Sequence, residues 1–145
     1  MSAAGEVRRA MLAMLALALL ASAPAHAQDP RAVVVQTVAR QWLALADKLD
    51  AEATWNAAGV RFQQTMTIPQ WADGLKRERE ARGAIAQRTV VATSFGSSMP
   101  GVPEGGNYAL VRFRTSFANE TFGAEHVTLE MGPDNVWRVI GYVLR

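Results

Sequence analysis

The sequence predicts an α+β protein in which N-terminal helices pack on a four-stranded antiparallel meander sheet. Three observations predict it. Residues 107–144 hold three strand-length segments, rich in aromatic and β-branched residues and separated by two short turns. Residues 29–83 carry apolar side chains at three- and four-residue spacing, the period of helices that bury one face. Between them, Arg88 to Phe95 reads as the first strand, and the loop from Gly96 to Gly106, rich in proline and glycine, leads into the meander as a long hairpin connection.

The first 27 residues stand apart from this pattern. Arg8 and Arg9 form a positive start, Ala10 to Ala21 is an apolar run, and Ala25-His26-Ala27 fits the small-x-small cleavage rule. The run falls short of the roughly 20 apolar residues that cross a bilayer. The expectation is a signal peptide over residues 1–27, a single domain over residues 28–145, a periplasmic or secreted product, and no membrane span after cleavage. Removing the leader takes two of the 15 basic and one of the 13 acidic residues, so the net charge of the remainder is near +1. That balance gives no support to a nucleic-acid partner. The chain has no cysteine, hence no disulfide framework and no lipid-anchoring thiol.

The helices follow in order. Asp29 caps the first and Pro30 suits its first turn, while Val35, Val38, Trp42, Leu45, Ala46 and Leu49 form its apolar stripe. Asp50 caps a short second helix through Ala58, with Trp55 inward and Gly59 as a left-handed stop. Thr67 and Gln70 make a capping box for a third, on whose apolar side lie Ile68, Trp71 and Leu75 and which ends at Gly83. Its charged end, Lys76 to Arg82, reads as a solvated face.

In the meander, Tyr108 to Phe117, Phe122 to Met131 and Val136 to Leu144 read as strands, with Ala118 to Thr121 and Gly132 to Asn135 as the turns. Pairing Phe117 with Phe122 and Met131 with Val136 assigns each side chain to a face. Phe113, His126, Thr128, Glu130 and Trp137 then share the face under the helices. Leu110, Arg114, Glu125, Val127, Leu129 and Tyr142 share the other. That second face is too apolar to stand open, so the expectation is a homodimer or a shared sheet face.

Several stretches resemble an uncharacterised family of bacterial secreted proteins, domain of unknown function 4019. They are Gln41-Trp42-Leu43-Ala44-Leu45-Ala46-Asp47, Thr54-Trp55-Asn56, Gln70-Trp71, Phe113 to Asn119, Glu125-His126-Val127-Thr128-Leu129 and Trp137 to Tyr142. The element order is similar to the cystatin-like cone of nuclear transport factor two-like domains. The resemblance implies that fold and carries no activity with it, since the cone serves isomerases, dehydratases and binding modules alike.

Two side-chain clusters bear on chemistry. The register brings Arg114, Glu125 and Tyr142 into one cross-strand row, a basic, an acidic and a phenolic group, whose ordinary role is a structural pair. Beneath the helices, Phe113, His126, Thr128 and Trp137 outline a small apolar pocket with a polar thread, suited to an apolar or amphipathic ligand. Proton transfer there would need His126 or Glu130 as base, and only Asp47 or Asp50 at the end of the first helix would come near. His126 and Glu130, about 13 Å apart along a strand, make no metal site, and no motif calls for a cofactor. The expected function is a noncatalytic ligand- or protein-binding module of the cell envelope. The alternative is a small cone-fold enzyme of isomerase or dehydratase type.

Overall fold

The computed structural model describes residues 29–145; the signal-peptide expectation for residues 1–27 lies outside them. Four helices precede four strands: α1 Pro30–Asp47, α2 Ala51–Ala57, α3 Val60–Thr65, α4 Ile68–Glu80, β1 Ile85–Gly96, β2 Tyr108–Phe117, β3 Glu120–Met131 and β4 Trp137–Leu144. The strands form one sheet in the order β1-β2-β3-β4, with every neighbouring pair antiparallel. The α+β architecture is the one the sequence predicts.

Local chemistry accounts for the helix ends. The Asp29 carboxylate accepts from the Arg31 backbone N–H, Asp50 accepts from that of Ala53, and Thr67 and Gln70 complete a reciprocal capping box. One helix was not anticipated. Gly59 has φ −72°, so it is not a left-handed stop but the extended residue preceding α3, and its N–H donates to the Val139 carbonyl at 2.8 Å. The left-handed turn in this region belongs to Leu49, at φ 57° after α1. Gly83, at φ +79°, ends the α4 segment where a Cβ would press on Ala118 and Asn119.

Helices and sheet enclose one core. Val35, Ala39, Trp42, Leu43 and Ala46 of α1 lie on Val111, Phe113, Val127, Leu129 and Val139 of the sheet. Aromatic rings fill the space between them: Trp42, Phe62, Trp71 and Tyr142 form one cluster, with centroid distances between 5.1 and 6.2 Å. Thr54, fully buried, ties two of its rings to α2, because its carbonyl accepts from Trp42 Nε1 at 3.0 Å and its hydroxyl from Trp71 Nε1 at 2.7 Å.

The register of the sheet differs from the expected one. β2 and β3 turn through Ala118 and Asn119 alone, with Phe117 opposite Glu120 and a bulge before Thr115 meets Gly123. Phe113 therefore faces Glu125, not His126. A one-residue slip exchanges the faces of a strand. The observed choice buries Val127 and Leu129 completely and leaves Phe122 76% exposed. The rejected register would have placed His126, Thr128 and Glu130 in the core, at the desolvation cost of three polar groups. The apolar residues that made a paired sheet face seem necessary, Val127 and Leu129, thus belong to the interior.

Candidate functional site

The slip rearranges both expected clusters. Phe113 and Trp137 do lie in the core, but His126 and Thr128 are on the opposite, partly exposed side of the sheet. These four do not line a common pocket. Glu130 points outward too, and Arg61 of α3 holds it with Nε at 3.2 Å and Nη2 at 3.0 Å. Of the polar row, Glu125 and Tyr142 meet at 2.6 Å while Arg114 is exposed on the far face.

The arginines that replace Arg114 come from elsewhere. Arg88 of β1 and Arg79 of α4 converge on Glu125, which is fully buried, and both also reach Asp47 at the end of α1. Arg88 Nε lies 2.7 Å and Nη2 3.2 Å from the Glu125 oxygens, and its Nη1 and Nη2 each lie 2.8 Å from Asp47. Arg79 gives Nη1 to Asp47 at 2.7 Å and Nη2 to Glu125 at 3.2 Å and to the Tyr142 oxygen at 3.1 Å. Thr115 donates its hydroxyl to Glu125 as well. Two cations and two anions thus fasten α1, α4, β1 and β3 together beneath the aromatic cluster. Asp47, expected with Asp50 as the carboxylate that would approach a pocket base, joins this group instead.

Electrostatics follows from the packing. Burial pushes the Asp47 carboxyl up, but hydrogen bonds from Arg88 and Arg79 outweigh it and hold the group below the usual carboxylate range. Burial likewise pulls Arg88 down, and its bonds to Asp47 and Glu125 reverse that and raise it. Burial, reinforced by the Glu125 charge, drives the Tyr142 phenol above its ordinary value. Every neighbour of the Glu125 carboxylate is a donor, and the Tyr142 proton is committed to it. A carboxylate so saturated has no free lone pair for a substrate proton, so the chemistry of this cluster is cohesion.

Sequence spacing held clues to the missed members. Arg79 continues the series Trp71, Leu75 at four-residue steps, which puts it on the buried side of α4. Arg88 alternates with Val90 and Asp47 follows Leu43 by one turn. What no local pattern indicated was that four elements deliver these charges to one point.

The opposite face of the sheet is the other notable surface. Arg114, Ala124 and Arg145 stand side by side across β2, β3 and the chain beyond β4, and Arg112, His126 and Val143 form the next row. A groove of about 340 Å³ lies beside them, bounded by Val91, Arg114, Ser116 and Phe122. Burial lowers the basicity of His126, and the positive charges of Arg145 and Arg112 add to that effect.

Helices at one side of an open antiparallel meander, with a neutralised ion-pair knot between them, define a small α+β domain with one covered and one uncovered sheet face. The chain belongs to the family described as protein of unknown function (DUF4019), whose model matches residues 38–142. No curated protein and no solved structure is matched.

Proposed function

We propose that this chain is an exported module of the bacterial cell envelope that binds a protein partner through the uncovered face of its sheet and carries out no chemistry itself. The observation that supports it is the contrast between the two faces. The helix-covered side is occupied by Trp42, Phe62, Trp71 and Tyr142 and by the Asp47-Arg79-Arg88-Glu125 knot, whose Glu125 carboxylate accepts from donors on every side. The other side offers arginines and large apolar groups to solvent, a combination enriched in interface centres. The two bases of the enzyme alternative gain no support from their settings. Glu130 is neutralised by Arg61, and His126 has no carboxylate or phenol within hydrogen-bond reach among the described residues.

The leader argument supports export, and the helix-then-meander order supports the cone-like fold that the sequence resembles. Among the described residues no helix is long and apolar enough to cross a membrane. A small apolar ligand keeps one possible seat, a groove of about 390 Å³ between α4 and the edge of β4, bounded by Met66, Trp71, Leu75 and Leu144. Native mass spectrometry of the protein purified from its own host tests the reading. A retained protein partner is the expected result; a reproducible small molecule, with no protein attached, would reject it in favour of ligand binding.

A further inference from the structure

We infer that the uncovered sheet face docks an acidic protein segment, with Arg112, Arg114 and Arg145 surrounding an apolar strip that includes Val143 and extends to Phe122. This rests on the partner-binding reading above and adds the chemistry of the partner.

The argument is charge complementarity. Arg112, Arg114 and Arg145 are all exposed, and among the described residues none of them pairs with a side-chain carboxylate. The nearest acids along β3 are already taken, Glu120 by Arg82 and Glu130 by Arg61. The strand pairing places Arg114 and Arg145 on either side of Ala124, and Arg112 and Val143 on either side of His126. The uncompensated charge of the face is therefore positive, although the chain as a whole is close to neutral. Exposed apolar groups lie in and beside it: Phe122 at 76%, Val91 at 56% and Val143 at 45%. Such a surface gains from carboxylates at its rim and aliphatic groups at its centre.

The same charges disfavour the two nearest occupants. A second copy seated on a two-fold axis would bring together two surfaces of the same net positive charge. Residues 1–28 carry Arg8 and Arg9 against Glu6, so they too bring the wrong sign.

Two measurements on the full protein from its host test the inference. In the first, a fluorescent glutamate- and leucine-rich peptide is titrated with the protein. Binding should weaken with added salt and fall about tenfold or more in Arg112→Glu/Arg114→Glu, while Arg77→Glu, on the exposed flank of α4, leaves it unchanged. Arg112→Gln/Arg114→Gln, with its melting curve recorded, separates lost charge from lost folding. Equal or tighter binding of heparin or of phosphatidylglycerol vesicles would overturn the inference in favour of another polymer or a lipid surface.

In the second, a photo-reactive phenylalanine analogue replaces Phe122 or Val143 in the living host. The expected adduct is a peptide of a different protein with net negative charge, lost on Arg112→Glu/Arg114→Glu. An adduct to a neutral or basic peptide, to a second copy, or to residues 1–28 overturns the acidic-partner inference while leaving partner binding in place. No protein adduct from either position, together with a small molecule retained in the α4–β4 groove, defeats the partner-binding reading itself.

Discussion

Arg88 of β1 and Glu125 of β3 are separated by a whole strand, yet the Arg88 Nε stands 2.7 Å from the Glu125 carboxylate, across Thr115 of the intervening β2. The contact is possible because Thr115, paired with Arg88, carries a side chain short enough to sit beneath the guanidinium and donates its own hydroxyl to Glu125. From the meander alone Glu125→Gln would cost no more than an exposed pair. Buried as Glu125 is, its removal leaves two guanidiniums facing one carboxylate. Glu125→Gln should destabilise the fold by about 3–5 kcal/mol, read from urea unfolding, and a loss under about 1 kcal/mol would show the knot to be slack.

Thr54 gives a second, independent measure of the interior. Its hydroxyl is the acceptor for Trp71 Nε1 at 2.7 Å in a fully buried setting. Thr54→Val keeps the shape and strands the indole N–H, so a loss of about 1–3 kcal/mol is expected in the same unfolding experiment. Thr54→Ser, which retains the hydroxyl, should lose less of this contribution.

The pH dependence has two parts with the same sign. His126 is less basic folded than unfolded, through burial and the neighbouring Arg145 and Arg112. The unfolded chain therefore binds the proton more readily, and this contribution, complete above pH of about 6.5, declines as the pH falls below it. His126→Gln should flatten that limb of the stability curve. Asp47, whose carboxyl is lowered despite burial because Arg88 and Arg79 hold it, contributes above pH of about 4 and is lost on further acidification. Melting temperatures across pH 3 to 8 for the parent, His126→Gln and Asp47→Asn resolve the two steps.

Two glycines should respond in opposite directions. A Cβ on Gly74, inside α4, meets nothing within 4 Å, so Gly74→Ala should stabilise by about 0.5–1 kcal/mol through helix propensity. A Cβ on Gly59 would come within 2.9 Å of the buried Ile140 Cγ2, and Gly59→Ala should lower the melting temperature. Thermal unfolding of the two variants side by side checks both signs.

Export is tested most directly by intact mass. The tripartite start predicts a mature chain beginning at Gln28. A retained leader on the purified protein would instead indicate a tethered product.

What the sequence determined by itself was the order of three of the four helices and of the four strands, the short α3 escaping it. Capping residues such as Asp29, Asp50 and Thr67, the stripe through Val35, Trp42 and Ala46, and the β-branched runs act over a few residues, so they are legible without a fold. What only the tertiary structure decided was the register, and with it the membership of both sites. Shortening the turn from residues 118–121 to Ala118-Asn119 alone would move the pairing by two residues and keep the faces, but the bulge between Phe117 and Thr115 adds the odd residue of slip that sends Glu125 inward and His126 outward. The decision lies in the non-local gain of burying Val127 and Leu129 against α1, and in the guanidiniums that Arg79 and Arg88 carry from a distant helix and strand to make a carboxylate tolerable there.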